Sequence, residues 1–317
     1  MAEARIPVDL FNPGQVFACL GFMEAAEILI GGAEGGFDWS EPGTVRFRLR
    51  ADGTANPVRE ALRFLADAEA VAIEPACGLT SDTATRQAAE ATDDIDQEPD
   101  DARPETGPAG EADDRVARAG PSTIRSETFP APQADDKRNA LPVRLIDPAS
   151  NKTADLTHWW DKSGREEFKL YSGNRSALKI VRDMQILIRQ VCQDERKALV
   201  DAPFDRLVAM GGSFNLDPRG AWTPLDAGYS PDAQKHQVRS SAAVELFAAW
   251  GLEHARPGTS GQRRYAYAAW GEAIPLLLAR PALACAPLPI PNRTFVFELG
   301  SSGKNKVVTF ANEERAG

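Results

Sequence analysis

The longest amphipathic pattern in the chain begins at Ala177. Leu178, Ile180, Val181, Met184, Leu187, Ile188, Val191 and Cys192 recur with a helical period, so one face of this helix is expected in a core. Ser172 or Asn174 is placed to cap its start. The stretch from Trp159 to Cys192 joins that helix to two tryptophans and a series of cations, and it is the segment around which the chain is expected to be organised.

Upstream, Ile6 to Leu10 predicts a short strand and the residues after it a helix. Asn12 is its N-cap, Pro13 takes the first helical position, and Gln15 stands where a capping box needs it. Val16, Phe17, Leu20 and Met23 form its buried face, and the glycines of "GGAEGG" end it. Two extended pieces follow. In the second, Arg46, Arg48 and Arg50 alternate with Val45, Phe47 and Leu49, giving a packed face and a face that is either solvated or open to phosphates. "NPVREALRFLAD" predicts a capped helix, and "AVAIEP" and "LPVRLIDP" predict neighbouring strands of one sheet.

Downstream, "GGSFNLDPRGAWTPLDAGYSPD" reads as a long ordered loop anchored by Phe214, Trp222 and Tyr229, with Asp217, Arg219, Asp226 and Ser230 as its polar groups. "SSAAVELFAAWGLEHARP" predicts a helix, "QRRYAYAAW" a strand, and Thr294–Leu299 with Val307–Phe310 a closing hairpin. The fold class expected is α+β, with mixed helices and antiparallel sheet elements. An N-terminal part, 1–77, and a C-terminal part, 141–317, are expected to pack as one unit around residues 78–140.

That middle stretch changes how the charge is read. The 317-residue chain has a formal net charge of -10, which ordinarily argues against nucleic acid. Between Ser81 and Lys137, however, stand 15 acidic and 6 basic residues, which leaves 31 acidic and 30 basic elsewhere. Poor in large apolar residues, 78–140 is expected to be a disordered acidic insertion. The remaining body is close to neutral and can carry a local basic groove.

Chemistry-bearing motifs are sparse. Cys19, Cys77, Cys192 and Cys285 are far apart and form neither a zinc pattern nor a disulfide framework. His158, His236 and His254 lie in unrelated contexts, and no phosphate loop, nucleophile elbow or dinucleotide fingerprint occurs. Asp217 and Asp226 suggest a carboxylate pair, but acids in loops more often cap turns. No catalytic residue, metal ligand or cofactor is assigned. There is no long apolar run and no basic-then-apolar start, so a cytoplasmic protein without a membrane partner is expected.

The positive chemistry is cationic. Lys162, Arg165 and Lys169 precede a Gly-Asn turn, and Arg175, Lys179 and Arg182 fall at spacings that gather them on the first turns of the following helix. Arg219 in the long loop and Lys304 and Lys306 at the hairpin tip complete the nucleic-acid-binding candidates, with solvated surface charge as the alternative for each.

Five segments together resemble a known family: "VDLFNPGQVFACLGFMEAAEILIGGAEGGF", "WWDKSGREEFKLYSGNRSALKIVRDM", "NLDPRGAWTPLDAGYSPDA", "AVELFAAWGLEHARP" and "FELGSSGKNKVVTFA". They are similar to the CRISPR-associated Csb3 (Csx14-type) family, a large-subunit-type component of the type I-U, or type I-G, interference complex. The resemblance implies a noncatalytic subunit that assembles with the other effector subunits around crRNA. It implies help in binding target DNA beside its flanking motif and support for recruiting a separate helicase-nuclease. An architectural subunit that touches little nucleic acid, and a nuclease with an unfamiliar carboxylate site, are the alternatives.

Overall fold

The computed structural model describes residues 1–75, 123–126, 143–156, 170, 176–220, 239–302 and 305–314. The fold is mixed α/β, with helices and mainly antiparallel sheets. Its centre is a pair of helices, α1 (Pro13–Leu29) and, near the other end of the chain, one spanning Ala242–His254. Both are buried on every side: Pro13 to Ala26 and Ala242 to Leu252 are continuously buried, and mostly apolar. The single buried face expected for the first of them is therefore too narrow, because a helix walled in all round has no solvent face to make polar.

The N-terminal helix starts as its sequence dictates. The Asn12 side chain accepts from the Gln15 amide at 3.2 Å, and Pro13 needs no partner for a missing N–H. Gln15 does not close a capping box on Asn12; its Oε1 accepts from the backbone N–H of Asp9 at 2.8 Å and so fixes the incoming chain. The helix ends before Gly31 and Gly32, whose φ values of 101° and 61° suit glycine.

One sheet has the order β1 (Ala2–Pro7), β3 (Arg46–Ala51), β2 (Glu34–Asp38) and β12 (Ile274–Pro275), all antiparallel. The first strand thus begins and ends earlier than the apolar run Ile6 to Leu10 suggests, because its register is set by pairing Ala2 with Ala51 and Pro7 with Arg46. A second sheet runs β10 (Gly258–Gly261), β11 (Arg264–Trp270), β13 (Asn292–Ser302), β14 (Asn305–Val308), with β15 (Asn312–Glu314) on the first half of β13. Phe17 of α1 meets Tyr267 and Phe297 of this sheet edge to face, and the Tyr267 hydroxyl donates to the Leu10 carbonyl at 2.7 Å.

The third sheet joins sequence from both sides of the middle stretch: β4 (Glu69–Pro75) pairs antiparallel with β6 (Val143–Ile146), and β6 with β7 (Thr153–Leu156). Of residues 78–140, the piece described is Thr123–Ser126, and it forms a strand, β5, parallel to β4. The pattern therefore does not stop throughout that stretch. A short Thr-Ile-Arg-Ser run suffices for a strand where the edge of β4 supplies its backbone partners. A last short pair, β8 (Val208–Ala209) with β9 (Arg239–Ser240), is antiparallel and brackets the long loop.

Three further helices complete the described body. α2 (Pro57–Asp67) is capped by Asn56, whose side chain accepts from the Arg59 amide at 3.0 Å. α3 spans Ala177–Asp201, two turns and more beyond Cys192, where its clean apolar pattern ends. Its N-cap residue is Ser176, without a side-chain cap bond, in place of Ser172 or Asn174. Ala242–His254 is then α4 and Leu276–Leu283 is α5. No helix among the described residues is long and apolar enough to cross a membrane.

Candidate cationic groove

On α2 the apolar residues Val58, Ala61, Leu62 and Leu65 face inward, and Arg59 and Arg63, four positions apart, share one exposed flank. On α3, Arg182, Arg189 and Arg196 follow at intervals of seven, so they fall on nearly the same side with a drift of about 20° per interval. The first of them is already engaged: Arg182 donates to the Ala70 carbonyl at 2.8 Å. One turn on, buried Gln185 donates to the carbonyls of Leu65 and Ala68, both at 2.9 Å. These bonds satisfy carbonyls that the end of α2 leaves unpaired, and they lock the start of α3 against it.

Past that lock the two helices run antiparallel and enclose an open groove of about 560 Å³. Its rims carry Arg59 and Arg63 from α2 and Arg189 and Arg196 from α3; its floor is Leu62, Ala66, Cys192 and Val200. Asp67 is the acid in the lining. Arg63 is held by Glu60 at 3.2 Å, an exposed pair of small energetic weight, whereas Arg59, Arg189 and Arg196 have no ion pair among the described residues. Burial pushes the Cys192 thiol up, against the pull of Arg196, so the floor is a neutral thiol and not a thiolate.

Of the residues expected from sequence, Lys179, Arg182, Arg219 and Lys306 are among the described residues. Lys162, Arg165, Lys169, Arg175 and Lys304 lie outside the described residues. Lys179 is exposed on the first turn of α3, before the groove opens, and Arg182 is spent on backbone. Lys306 is half-buried on β14, opposite Ser301. Arg219 is bound to buried Asp217 at 2.7 Å and donates to the Phe204 carbonyl at 2.9 Å. The groove arginines 59, 63, 189 and 196 are not among the residues expected from sequence. The signals that point to them are the i,i+4 pair in α2 and the seven-residue arginine repeat carried past Cys192.

Two other charged arrangements serve the fold. On the first sheet, Arg50 pairs with Glu3 at 2.8 Å and Arg48 approaches Asp38 at 3.9 Å, so two of the three arginines in the row stand beside acids. The Arg50 bond holds the Glu3 carboxyl below its usual range. In the core, the Glu245 carboxylate accepts from the amides of Phe214, Leu216 and Asp217, clamping the start of the long loop onto α4. Burial, aided by the charge of Asp217, pushes Glu245 up to about 8. Asp217 accepts from Asn12, Arg219 and the Ser241 amide, so this carboxylate positions backbone instead of facing solvent. Asp226 lies outside the described residues. Among the described residues, no three His, Cys, Asp or Glu side chains gather where they could hold a metal ion.

Protein-family models, curated proteins and solved structures contain no match to this chain. The likeness to the Csb3 family stands on the sequence segments alone.

Proposed function

We propose that the chain is a noncatalytic subunit of a type I-U/I-G CRISPR RNA-guided interference complex. It acts in the cytoplasm without a cofactor, alongside the other effector subunits and their crRNA, and helps hold target DNA and present it to a helicase-nuclease. In this reading residues 78–140 are an acidic insertion in one folding unit. The observation that carries the nucleic-acid part is the groove between α2 and α3. Three of its four arginines have no ion pair among the described residues, on a body that is nearly neutral outside the acidic stretch. Arginine suits this work because its planar fork bonds phosphate oxygens two at a time and stays charged at any working pH.

The test is to express the full chain, affinity-tagged, with guide-bearing effector subunits, and to measure retention of guide RNA and target DNA. The complex carrying Arg59→Glu and Arg196→Glu should lose target affinity, and the salt dependence should flatten by about one for each phosphate that is no longer neutralised. Assembly with unchanged affinity and slope would overturn the groove as the binding surface. A second reading, an architectural subunit, is favoured by large apolar side chains left exposed at Phe11, Leu277, Leu278 and Phe310. It predicts that charge reversal leaves target binding intact while Leu277→Asp releases the chain from the complex.

A further inference from the structure

We infer that the groove between α2 and α3 takes a single strand of nucleic acid in preference to a duplex, with phosphates on the arginine rims and base faces on the apolar floor. This rests on the reading that the groove holds a nucleic-acid backbone, and it adds which form of nucleic acid fits.

The first argument is width. α2 and α3 are packed side by side and bonded through Gln185, and helices in such contact lie about 8–10 Å apart. A duplex can rest on the rims, but its bases are stacked and paired out of reach of the floor. A single strand can follow the trough with its bases turned down. An acidic helix, about 10–12 Å across with its side chains, would also ride above the floor.

The second argument is the floor itself. Half-buried Val200 and Cys192 offer the accessible floor, an aliphatic surface and a weakly polar thiol, with Leu62 and Ala66 buried beneath them. Such a surface has almost no hydrogen-bonding code, so it suits the flat face that every base presents, without choosing among bases. The third is the placement of charge on both sides. With a rise of about 1.5 Å per residue, Arg189 and Arg196 are separated by about 10 Å along α3, and Arg59 and Arg63 by about 6 Å along α2. Cations therefore track a strand from both flanks, and their guanidinium planes can also cover exposed bases. A volume of about 560 Å³ is in the range of sites for one small ligand, about one or two nucleotides of a longer strand.

The experiment uses the full chain with Cys77→Ser and Cys285→Ser, which leaves partly buried Cys192 in the groove and fully buried Cys19. Fluorescence anisotropy is measured with a labelled thymidine oligonucleotide of about twelve residues, with its duplex, and with polyglutamate as an acidic polymer. Alkylation of Cys192 by iodoacetamide is followed in parallel. The expected result is binding of the strand about tenfold tighter than the duplex, a loss of about tenfold on Arg59→Glu with Arg196→Glu, and slower alkylation under the strand but not the duplex. Equal binding of strand and duplex, both weakened by charge reversal, would overturn the single-strand inference and leave the backbone reading standing. Binding unaffected by charge reversal would overturn both. Protection of Cys192 by polyglutamate and not by the strand would assign the groove to an acidic protein segment and overturn the inference.

Discussion

Asn12 and Asp217, 205 positions apart, meet inside the protein: the Asn12 side-chain amide donates to the Asp217 carboxylate at 3.1 Å. The same Asn12 side chain caps α1 through its oxygen, so one residue starts the central helix and ties it to the long loop. Asn12→Ala removes both roles and is expected to cost about 2 kcal/mol, from a lost cap and a lost bond to a buried carboxylate. Asp217→Ala should cost more, about 3–5 kcal/mol, because it strands Arg219 and the Ser241 amide together. Urea unfolding checks both, with the midpoint falling and the slope unchanged.

The crossing of α1 and α4 depends on two glycines. A methyl group at Gly21 would lie 1.9 Å from the Phe247 carbonyl oxygen, and one at Gly251 would lie 2.2 Å from that of Phe17. Both obstacles are backbone, so the helices must separate. Alanine is the better helix former by about 1 kcal/mol, yet Gly21→Ala and Gly251→Ala are each expected to destabilise by about 3 kcal/mol or more. Gly53→Ala, with open space around it, is the contrast; there the cost comes from its φ of 72° alone and should be about 1 kcal/mol. Thermal unfolding should rank the three variants in that order.

Local signals in the sequence carried much of the fold. Asn12-Pro13 and Asn56-Pro57 mark helix starts because the cap and the missing N–H act within a few residues, and the alternation around Phe47 marks a strand for the same reason. What stayed hidden depends on distant partners. The centre was expected near Trp159 to Cys192, whereas the buried pair is α1 with α4; glycines such as Gly21 and Gly251 show their purpose only when the opposing carbonyl is in place. Arg182 and Arg219 look like free cations in sequence and are held by Ala70 and Asp217 in the fold. The groove was half legible, since its arginines are spaced for one face, but nothing local shows that α2 and α3 align to join them.

Glu245 gives the fold a pH dependence of stated sign. Its folded value, raised to about 8 by burial, stands well above the ordinary 4.5, so the folded state holds that proton more tightly than the unfolded chain does. The stability it contributes is fully present below about pH 4.5 and is lost as pH rises through about 8. Glu245→Gln, which keeps one of the two acceptor oxygens, should be less stable at pH 5 and should lack this decline. The measurement is the difference in unfolding free energy between the two proteins from pH 5 to pH 9. It should narrow toward high pH, by about 1.4 kcal/mol per unit at most.

The lock between α2 and α3 separates residues that hold the groove together from residues that line it. Gln185 is buried and meets two carbonyls; Gln185→Leu keeps the packing volume but leaves the Leu65 and Ala68 oxygens without those donors, at about 2–4 kcal/mol. Arg182→Ala removes a single bond to Ala70 from a half-buried position and should cost about 1–2 kcal/mol. By contrast, Arg59→Ala and Arg196→Ala remove exposed side chains without ion pairs among the described residues and should change stability by about 0.5 kcal/mol or less. If the groove binds nucleic acid, the order reverses in a salt titration: Arg59→Ala and Arg196→Ala each flatten the slope by about one, while Arg182→Ala leaves it unchanged. Measuring stability and salt slope on the same four variants distinguishes the two roles. A stability loss for Arg59→Ala as large as that for Gln185→Leu would show that the groove arginines are structural after all.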